Sequence, residues 1–415
     1  MIKIKEILFS LFLCILTVNS IQADTLFVNT GHIKSIKEAI SRAKSYDVIL
    51  VSKGIYKENN IVINKPIKLI GQDLPILDGE KKYEIITITS DSVEVNGFQI
   101  QHVGKSYTMD WAGIKVDEKD HVVISNNKLY DTFFGIYLKK TKHCKVWNNS
   151  LETTSVDEVN SGNGIHLWDC ENISIVGNHI VGHRDGIYFE FVEESEVRDN
   201  ISENNLRYGL HFMFSNNDIY DGNIFKNNGT GVAVMFSKNI IMTNNIFLEN
   251  WGSASFGLLF KEIYDGILYR NVFQENTVGL YADGANRIEV KENEFIKNGW
   301  AINILGNSQD NTISRNNFLS NTFDVATNTK TNPNLFEGNY WDQYTGYDLD
   351  KNGIGDVPFR PIKVFSYVIG KIPESIILLR SLFIEMLNFA EKVAPVLTPE
   401  TLFDESPNMT RIEYD

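Results

Sequence analysis

A repeat of about 22 residues constrains this chain more than any other feature of its sequence. A glycine followed by an aliphatic residue recurs at Gly113, Gly135, Gly164, Gly186, Gly209, Gly231, Gly257 and Gly279, and Ala301 continues the series. An asparagine series keeps the same pace at Asn127, Asn149, Asn178, Asn200, Asn223, Asn245, Asn271, Asn293, Asn316 and Asn339. Both series lengthen at the same two places, which indicates inserted loops at residues 152–163 and 251–256. Agreement between two independent markers predicts a repeat architecture.

The composition of each unit favours short strands. Segments such as "GIYFEF", "ISIVGN" and "GNIFKNN" alternate apolar and polar residues, and they lack helical spacing. A leucine-rich repeat would need a leucine ladder, whereas the connecting segments here are rich in Asn, Gly and Asp. Asn and Gly tolerate left-handed backbone at bends, and stacked Asn side chains can hydrogen-bond along a column. The repeat therefore predicts an all-β fold, a right-handed parallel β-helix with three short strands per coil.

The two ends of the chain differ from the repeat. Residues 1–23 combine Lys3 and Lys5 with a short apolar run and small residues before polar sequence, which predicts a cleaved secretory signal peptide. We expect residues 24–361 to form the solenoid, with a capping helix at 34–45, irregular coils at 46–110 and regular coils at 111–345. A stacked solenoid needs covered ends, and an amphipathic helix is one way to cover them.

Beyond the solenoid, residues 362–394 are predicted to form a C-terminal helical docking segment. The apolar positions of 374–393 have helical spacing, but Arg380 and Glu385 argue against a membrane-spanning helix. This segment would either pack on the end of the solenoid or dock onto a membrane or a membrane protein. Residues 395–415 are rich in Pro, Asp and Glu, which predicts an extended or disordered tail.

Charge and cysteine content exclude some functions. The formal net charge is −14, and loss of Lys3, Lys5 and Glu6 with the signal peptide makes it −15. No basic block remains, so nucleic acid is a poor partner. Cys144 and Cys170 would be left in an oxidising compartment, either as a disulfide or as two buried thiols. Their different offsets within the repeat favour the thiols.

Alternation along the strand that follows each landmark glycine predicts which side chains face solvent. We call the outward positions two and four residues after the glycine the +2 and +4 columns. The +2 column reads Lys115, Tyr137, His166, Tyr188, His211, Ala233, Leu259 and Tyr281, and the +4 column reads Asp117, Lys139, Trp168, Glu190, Met213, Met235, Lys261 and Asp283. Met213 and Met235 should be lateral neighbours about 4.8 Å apart, with His211 beside Met213.

Two exposed thioethers and an imidazole are ligands for a soft ion, and Cu(I) is the leading candidate. A hydrophobic patch that docks a partner is the competing interpretation of the same two methionines. His166 lies two coils from His211, and Glu190 would support a ligand or simply be exposed. His143, His179 and His183 fall in or near turns, where surface polar residues are expected, and His183 is retained as a weaker candidate.

A second motif, "YDLDKNGIGD", resembles the first half of a calcium-binding loop. Asp348, Asp350, Asn352 and Asp356 provide the oxygen donors, but Phe359 stands where a bidentate glutamate would complete the loop. The segment is either a calcium site or a tight turn that closes the solenoid.

Catalytic patterns are weak. Glycoside hydrolysis would need two carboxylates facing each other across a cleft, and the outward columns place no acidic cluster on neighbouring coils. The residues therefore predict a protein that is not an enzyme, with a polysaccharide-binding or -cleaving β-helix as the alternative.

The segments "GNGIHLWDCENISIVGNHI", "HRDGIYFEFVEESEVRDN", "RYGLHFMFSNNDIYDGN", "GVAVMFSKN" and "YDLDKNGIGDVPFRPI" resemble the NosD family. The resemblance covers residues 24 to 365 and is most specific at 160–260. It implies a periplasmic β-helix that handles copper for the copper–sulfur centres of nitrous oxide reductase. It also implies partners, namely an ABC transporter permease and ATPase, a membrane-anchored copper chaperone and the reductase itself. The C-terminal segment would then dock on the permease or make peripheral membrane contact.

Overall fold

The computed structural model describes residues 23–106, 109–154, 157–329, 332–393 and 402–414. The predicted fold class is confirmed: the chain is a right-handed parallel β-helix of about 14 turns in its described part. Residues 1–22 of the predicted signal peptide lie outside the described residues. The predicted C-terminal helical segment follows the last coil.

Two parallel sheets run the length of the solenoid. Within the described residues, one holds 24 strands and the other 13. The strands of the first sheet are Thr25–Val28, Val48–Val51, Ile61–Ile63, Lys68–Gly71, Ile86–Ile88, Glu94–Asn96, Ala112–Asp117, Val123–Ser125, Phe134–Lys139, Lys145–Trp147, Ile165–Glu171, Ser174–Val176, Asp185–Glu193, Glu196–Arg198, Tyr208–Met213, Ile219–Asp221, Thr230–Met235, Lys238–Thr243, Phe256–Tyr269, Val278–Lys291, Trp300–Ile304, Thr312–Ser314, Phe323–Ala326 and Leu335–Glu337. Those of the second are Ile55–Tyr56, Ile76–Asp78, Gln99–Gln101, Lys128–Tyr130, Ser150–Glu152, His179–Val181, Ile201–Glu203, Ile224–Lys226, Ile246–Leu248, Val272–Gln274, Glu294–Ile296, Asn317–Leu319 and Tyr340–Trp341.

Apolar side chains fill the interior because every coil repeats the same inward positions. Phe212 and Val234, which alternate with the +2 and +4 columns, are fully buried. On the second sheet, Phe225, Phe247, Phe273, Phe295 and Phe318 stack ring on ring, with centroids 4.6–5.6 Å apart. Cys144 and Cys170 are free and buried, and burial raises the pKa of the Cys144 thiol to about 11.

Two columns of buried asparagines hold the bends. In the column predicted from the repeat, Asn223 Nδ2 donates to Asn245 Oδ1 at 2.9 Å and to the Val197 carbonyl oxygen at 2.8 Å. A second column runs through Asn205, Asn228, Asn250, Asn276, Asn298 and Asn321, and it uses the same amide-to-amide bond. Both columns satisfy backbone groups that the bends would otherwise leave buried and unpaired.

Helices lie at both ends of the solenoid. Helix α1 (Ile36–Arg42) buries Ile36, Ala39 and Ile40 near the N-terminal end. After the last coil come α2 (Val364–Lys371), a 3-10 turn (Pro373–Leu378) and α3 (Leu382–Val393). Phe365 and Ile369 of α2 and Ile384 of α3 pack with Phe323 of the solenoid, so the helices are attached to its C-terminal coils.

The tail closes the C-terminal end of the solenoid. Described residues 402–414 are extended and packed rather than disordered, and Asp404 is fully buried. The Asp404 carboxylate accepts hydrogen bonds from Asn339 N and Nδ2 and from Trp341 Nε1, each at 3.0 Å. Asp404 thus occupies the next place in the predicted asparagine column. Further along, the Tyr414 hydroxyl donates to the carbonyl oxygens of Asn293 and Arg315.

Candidate functional site

The candidate metal ligands lie on the outer face of the first sheet. Met213 pairs with Met235 in register, and His211 pairs with Ala233. Glu190 is the neighbour of Met213 in the preceding coil. Both methionines point away from the buried Phe212 and Val234, and both are half-buried. The register therefore brings two thioethers and one carboxylate into consecutive coils, with the imidazole two residues from the first sulfur.

His211 is much less exposed than an outward position implies. Its side chain is only 7% exposed, and within the described part of the chain neither ring nitrogen has a hydrogen-bond partner. The rings of Tyr208 and Tyr188 pack on it, with centroids 4.7 and 5.1 Å away. The expectation of an exposed imidazole is wrong, because neighbouring aromatic side chains cover the ring.

A buried ion pair supports this imidazole from one side. Asp185 is completely buried, and Arg207 Nε and Nη2 donate to its two carboxylate oxygens at 2.9 and 2.6 Å. Nδ1 of His211 lies 3.9 Å from Oδ2 of Asp185, beyond hydrogen-bond distance. Burial alone would raise the pKa of Asp185, but the adjacent His211 and Arg207 side chains outweigh it and lower the pKa. The carboxylate is therefore held ionised.

A ladder of exposed phenylalanines borders the methionines. Phe191, Phe214 and Phe236 each follow a +4 residue, and they are 40–46% exposed. Their rings stack with centroids 5.2 Å apart and interplanar angles of 12–13°. All three have positive φ, between 51° and 56°, which is unusual for a bulky side chain. An apolar strip of this kind beside two thioethers is suited to contact with another molecule.

His166 does not join the methionines. Tyr188 lies between it and His211, with its ring stacked on His166 at 4.7 Å. Burial, aided by the positive charge of Arg184, lowers the pKa of His166 to about 3. Burial and the nearby Glu190 carboxylate raise the pKa of Tyr188 to about 12. Both rings are neutral at pH 7, so this part of the face is an aromatic surface rather than a charged one.

His183 departs from its expected position. His143 and His179 are exposed, as a turn position predicts, but His183 is fully buried in the solenoid. Its backbone N–H donates to Oδ1 of Asn205, so His183 takes the first place in the second asparagine column. Burial lowers its pKa to about 3, and no described residue hydrogen-bonds to either ring nitrogen. The expectation of a surface residue is wrong, because the inward side of this bend is where the column runs.

The aspartate-rich loop uses its carboxylates for its own backbone. Asp348 accepts hydrogen bonds from the backbone N–H groups of Lys351 and Gly353, and Asp356 accepts one from Leu349. These contacts are typical of an Asx-rich turn. In the described part of the chain, no three His, Cys, Asp or Glu side chains form a metal-binding group.

Reasoning from the columns alone did not identify the ion pair or the phenylalanine ladder beside the candidate ligands. Asp185 is the first residue of its strand and Arg207 lies just before the next strand, so both fall outside the positions that the columns cover. The phenylalanine ladder was detectable, because "EF", "MF" and "MF" recur at the +4 and +5 positions of three consecutive coils. Alignment of the +5 position would have identified it.

Comparison with known proteins identifies the family. A family model described as periplasmic copper-binding protein (NosD) matches residues 151–346. A protein of Pseudomonas aeruginosa named probable ABC transporter binding protein NosD is 30% identical over 84% of this chain and 85% of its own length. The chain belongs to the NosD family. A relative of the same name from Stutzerimonas stutzeri is 27% identical over 85% of this chain and 84% of its own length.

Solved structures share the fold of this NosD-family chain at low sequence identity. A family 28 exopolygalacturonase of Yersinia enterocolitica aligns with a TM-score of 0.58 at 10% identity, covering 76% of this chain and 78% of its own. The surface adhesin PfbA of Streptococcus pneumoniae aligns with a TM-score of 0.54 at 12% identity, covering 74% and 88%. These likenesses show the β-helix and nothing about chemistry. None of the helices in the described ranges has the length and apolar character needed to span a bilayer.

Proposed function

We propose that this protein is a periplasmic accessory protein that handles copper for the copper–sulfur centres of nitrous oxide reductase and acts with an ABC transporter. Its partners would be the transporter permease and ATPase, a membrane-anchored copper chaperone and the reductase. Membership of a family described as copper-binding supports this proposal, as do relatives named ABC transporter binding proteins.

The observation that carries the proposal is the in-register pairing of Met213 with Met235 on an outward face. Thioether sulfur and neutral imidazole are soft donors that suit Cu(I), and the half-exposed methionines leave the ion accessible to a donor or an acceptor. A surface site of two sulfurs with His211 beside them favours transfer over permanent storage. We assign these three residues as the ligands, with Glu190 as a neighbouring carboxylate.

The phenylalanine ladder supports passage of the ion at a protein contact. Copper transfer requires two proteins to approach closely, and an apolar strip beside the ligands provides a contact surface. The interpretation of the methionines as a docking patch is thus compatible with copper handling rather than opposed to it.

The C-terminal helices supply the surface for the membrane partner in this proposal. On α3, Leu382, Phe383, Met386, Phe389 and Val393 are exposed, whereas Ile384 packs against the solenoid side. A helix with one attached face and one apolar exposed face is suited to a permease or to the bilayer surface. We expect Leu382→Ser combined with Phe389→Ser to abolish co-purification with the permease while leaving the solenoid folded.

We infer that the protein is not an enzyme. Its relatives are named as binding proteins, and in the +4 column acidic residues are adjacent to Lys139, Trp168, Met213 or Lys261 rather than to one another. A glycan screen tests the alternative of a polysaccharide-binding or -cleaving β-helix. Specific glycan binding to the outer face, or release of cleaved sugar, would support that alternative.

Anaerobic titration of the purified protein against a chromophoric Cu(I) chelator tests the ligand assignment. We expect Met213→Ala with Met235→Ala to weaken Cu(I) binding by about tenfold or more, since two donors are lost. Met213→Leu with Met235→Leu should weaken it equally, because leucine keeps the apolar patch without the sulfur. Lys261→Ala with Asp283→Ala, the same column in later coils, is the matched control. Unchanged Cu(I) affinity in both methionine variants, with fully copper-loaded reductase in cells, would overturn the assignment.

A further inference from the structure

Burial of the ionised Asp185 carboxylate beside His211 is energetically unfavourable by itself. Asp185 is completely buried, and the ionised form persists because Arg207 binds it through two parallel hydrogen bonds of 2.9 and 2.6 Å. A buried ion pair contributes little net stability compared with apolar packing. Its presence next to a candidate ligand therefore calls for an explanation beyond stability.

The hydrogen bonding of the His211 imidazole is also unsatisfied. Neither Nδ1 nor Nε2 has a hydrogen-bond partner among the residues that the structure describes, although the side chain is more than nine-tenths buried. An unpaired buried polar group is energetically unfavourable, so the ring is poised for a contact that the described residues do not make. Nδ1 faces Oδ2 of Asp185 at 3.9 Å, and a small rotation of the ring, about 1 Å at the nitrogen, would close a hydrogen bond.

Aromatic rings and a buried ion pair surround the imidazole, and both of its ring nitrogens are buried. Tyr188 and Tyr208 pack on the ring, and Asp185 with Arg207 lies on the Nδ1 side. In the next coil the neighbour of His211 is Ala233, whose methyl group is the smallest side chain of the +2 column. Ala233 lies two residues before Met235, on the same strand. The neighbour of His211 on the strand that bears Met235 is thus a small side chain.

We propose that Asp185, clamped by Arg207, is a positioning residue that holds His211 with its proton on Nδ1, so that Nε2 is presented to Cu(I) beside Met213 and Met235. Metal-binding histidines commonly donate their second ring N–H to a carboxylate, which fixes the ring and strengthens the ligand. This inference rests on the proposed function, because it deepens the same metal site. Asp185 itself does not touch the ion.

Two measurements on the full-length mature protein test the inference. Nitrogen-15 NMR of the histidine rings should show the Nδ1–H tautomer for His211 in the copper-free protein, and in Asp185→Asn the tautomer should change. Cu(I) affinity should fall about tenfold in Asp185→Asn, within the usual range for loss of such a partner. In the His211→Ala background the same substitution should have no further effect, since its action passes through the imidazole.

Asp218→Asn is the matched control, because Asp218 is also fully buried but bonds to Ser195 N at 2.8 Å and lies near Tyr220 rather than a histidine. It should leave Cu(I) affinity unchanged. An Nε2–H tautomer in the wild-type protein overturns the inference even where Asp185→Asn fails to fold. Wild-type Cu(I) affinity in a folded Asp185→Asn protein overturns it while the methionine assignment stands. A wild-type protein that does not bind Cu(I) overturns both.

Discussion

The strands that end at Met213 and Met235 share a backbone register with the two strands that follow them, yet their outer faces differ. The +4 column changes from Met213 and Met235 to Lys261 and Asp283 across strands that remain paired residue by residue. The inward positions do not change in kind, since Phe212 and Phe260 are both buried. The solenoid thus keeps its interior constant while its surface chemistry is free to vary from coil to coil.

The corner that follows each strand shows the same contrast. Phe214 and Phe236 occupy left-handed positions that Glu262 and Gly284 occupy in later coils, with φ between 51° and 70° throughout. Small, flexible or polar residues suit this backbone, whereas bulky rings there are strained. The same left-handed backbone therefore carries a phenyl ring in the methionine-bearing coils and a carboxylate or no side chain in the next ones.

The asparagine column should stabilise the two regions equally. Interrupting it should have the largest effect on the free energy of unfolding. Asn223 lies among the methionine-bearing coils and Asn293 among the later ones, and each accepts two hydrogen bonds from the preceding asparagine. We expect Asn223→Ala and Asn293→Ala each to lower the free energy of unfolding by about 3–4 kcal/mol, because several buried groups lose their partners. Urea denaturation measures both.

Asn244→Gly serves as the control for these substitutions, because Asn244 is exposed and its φ of 55° is acceptable to glycine. It should change the unfolding free energy by well under 1 kcal/mol, or about a tenth of the stability of a small domain at most. A much smaller loss in Asn293→Ala than in Asn223→Ala would mean that the two regions are not held by the same device.

The repeat of about 22 residues explains why the pairing of the methionines could be predicted from the sequence. Once Gly209 and Gly231 are aligned, parallel pairing places Met213 beside Met235, because backbone hydrogen bonds admit no other register in a regular coil. The burial of His211 was beyond this reasoning, since it depends on Tyr188 and Tyr208, whose ring directions are set by packing. Asp404 was also missed, because 65 residues separate it from Asn339, which it bonds.

His183, in the second asparagine column, should make the stability of the earlier coils decrease at acidic pH. Burial lowers the pKa of His183 to about 3, whereas the unfolded chain binds this proton near pH 6.5. The unfolded state therefore binds more protons as the pH falls from 6.5 to 3, and stability present above pH 6.5 is lost. Between pH 7 and pH 5 we expect a loss of about 2 kcal/mol.

His183→Asn should remove that loss and also extend the asparagine column, since the new amide could donate to Oδ1 of Asn205. Hydrogen exchange of peptides covering residues 180–186, compared between pH 7 and pH 5 as opening free energies, measures it. His179→Asn, an exposed histidine in the same coil, is the control. Equal acid sensitivity in His183→Asn and the wild-type protein would contradict the assignment.

The C-terminal coils should respond to pH with the opposite sign. Burial, with a smaller contribution from the Asp342 charge, raises the pKa of Asp324 to about 7. The folded chain keeps this proton while the unfolded chain loses it near pH 4, so stability should rise as the pH falls from 7 to 4. Between pH 7 and pH 5 the gain is about 2 kcal/mol. Asp324→Asn should make opening of residues 318–326 independent of pH in exchange experiments, and an unchanged slope would refute this.

Substitution in the phenylalanine ladder should have the smallest effect on the free energy of unfolding, because the ladder lies on the surface and not in the interior. Phe214→Asn removes ring stacking worth about 1 kcal/mol but places at φ 51° a residue that tolerates left-handed backbone, so unfolding free energy should change by less than about 1 kcal/mol. Cu(I) affinity should stay within about twofold, because a phenyl ring provides no donor atom. Glu262→Asn, at the same corner of a later coil, is the control. A tenfold loss of Cu(I) affinity in Phe214→Asn alone would mean that the aromatic strip and the metal ligands form one site rather than two adjacent surfaces with separate roles.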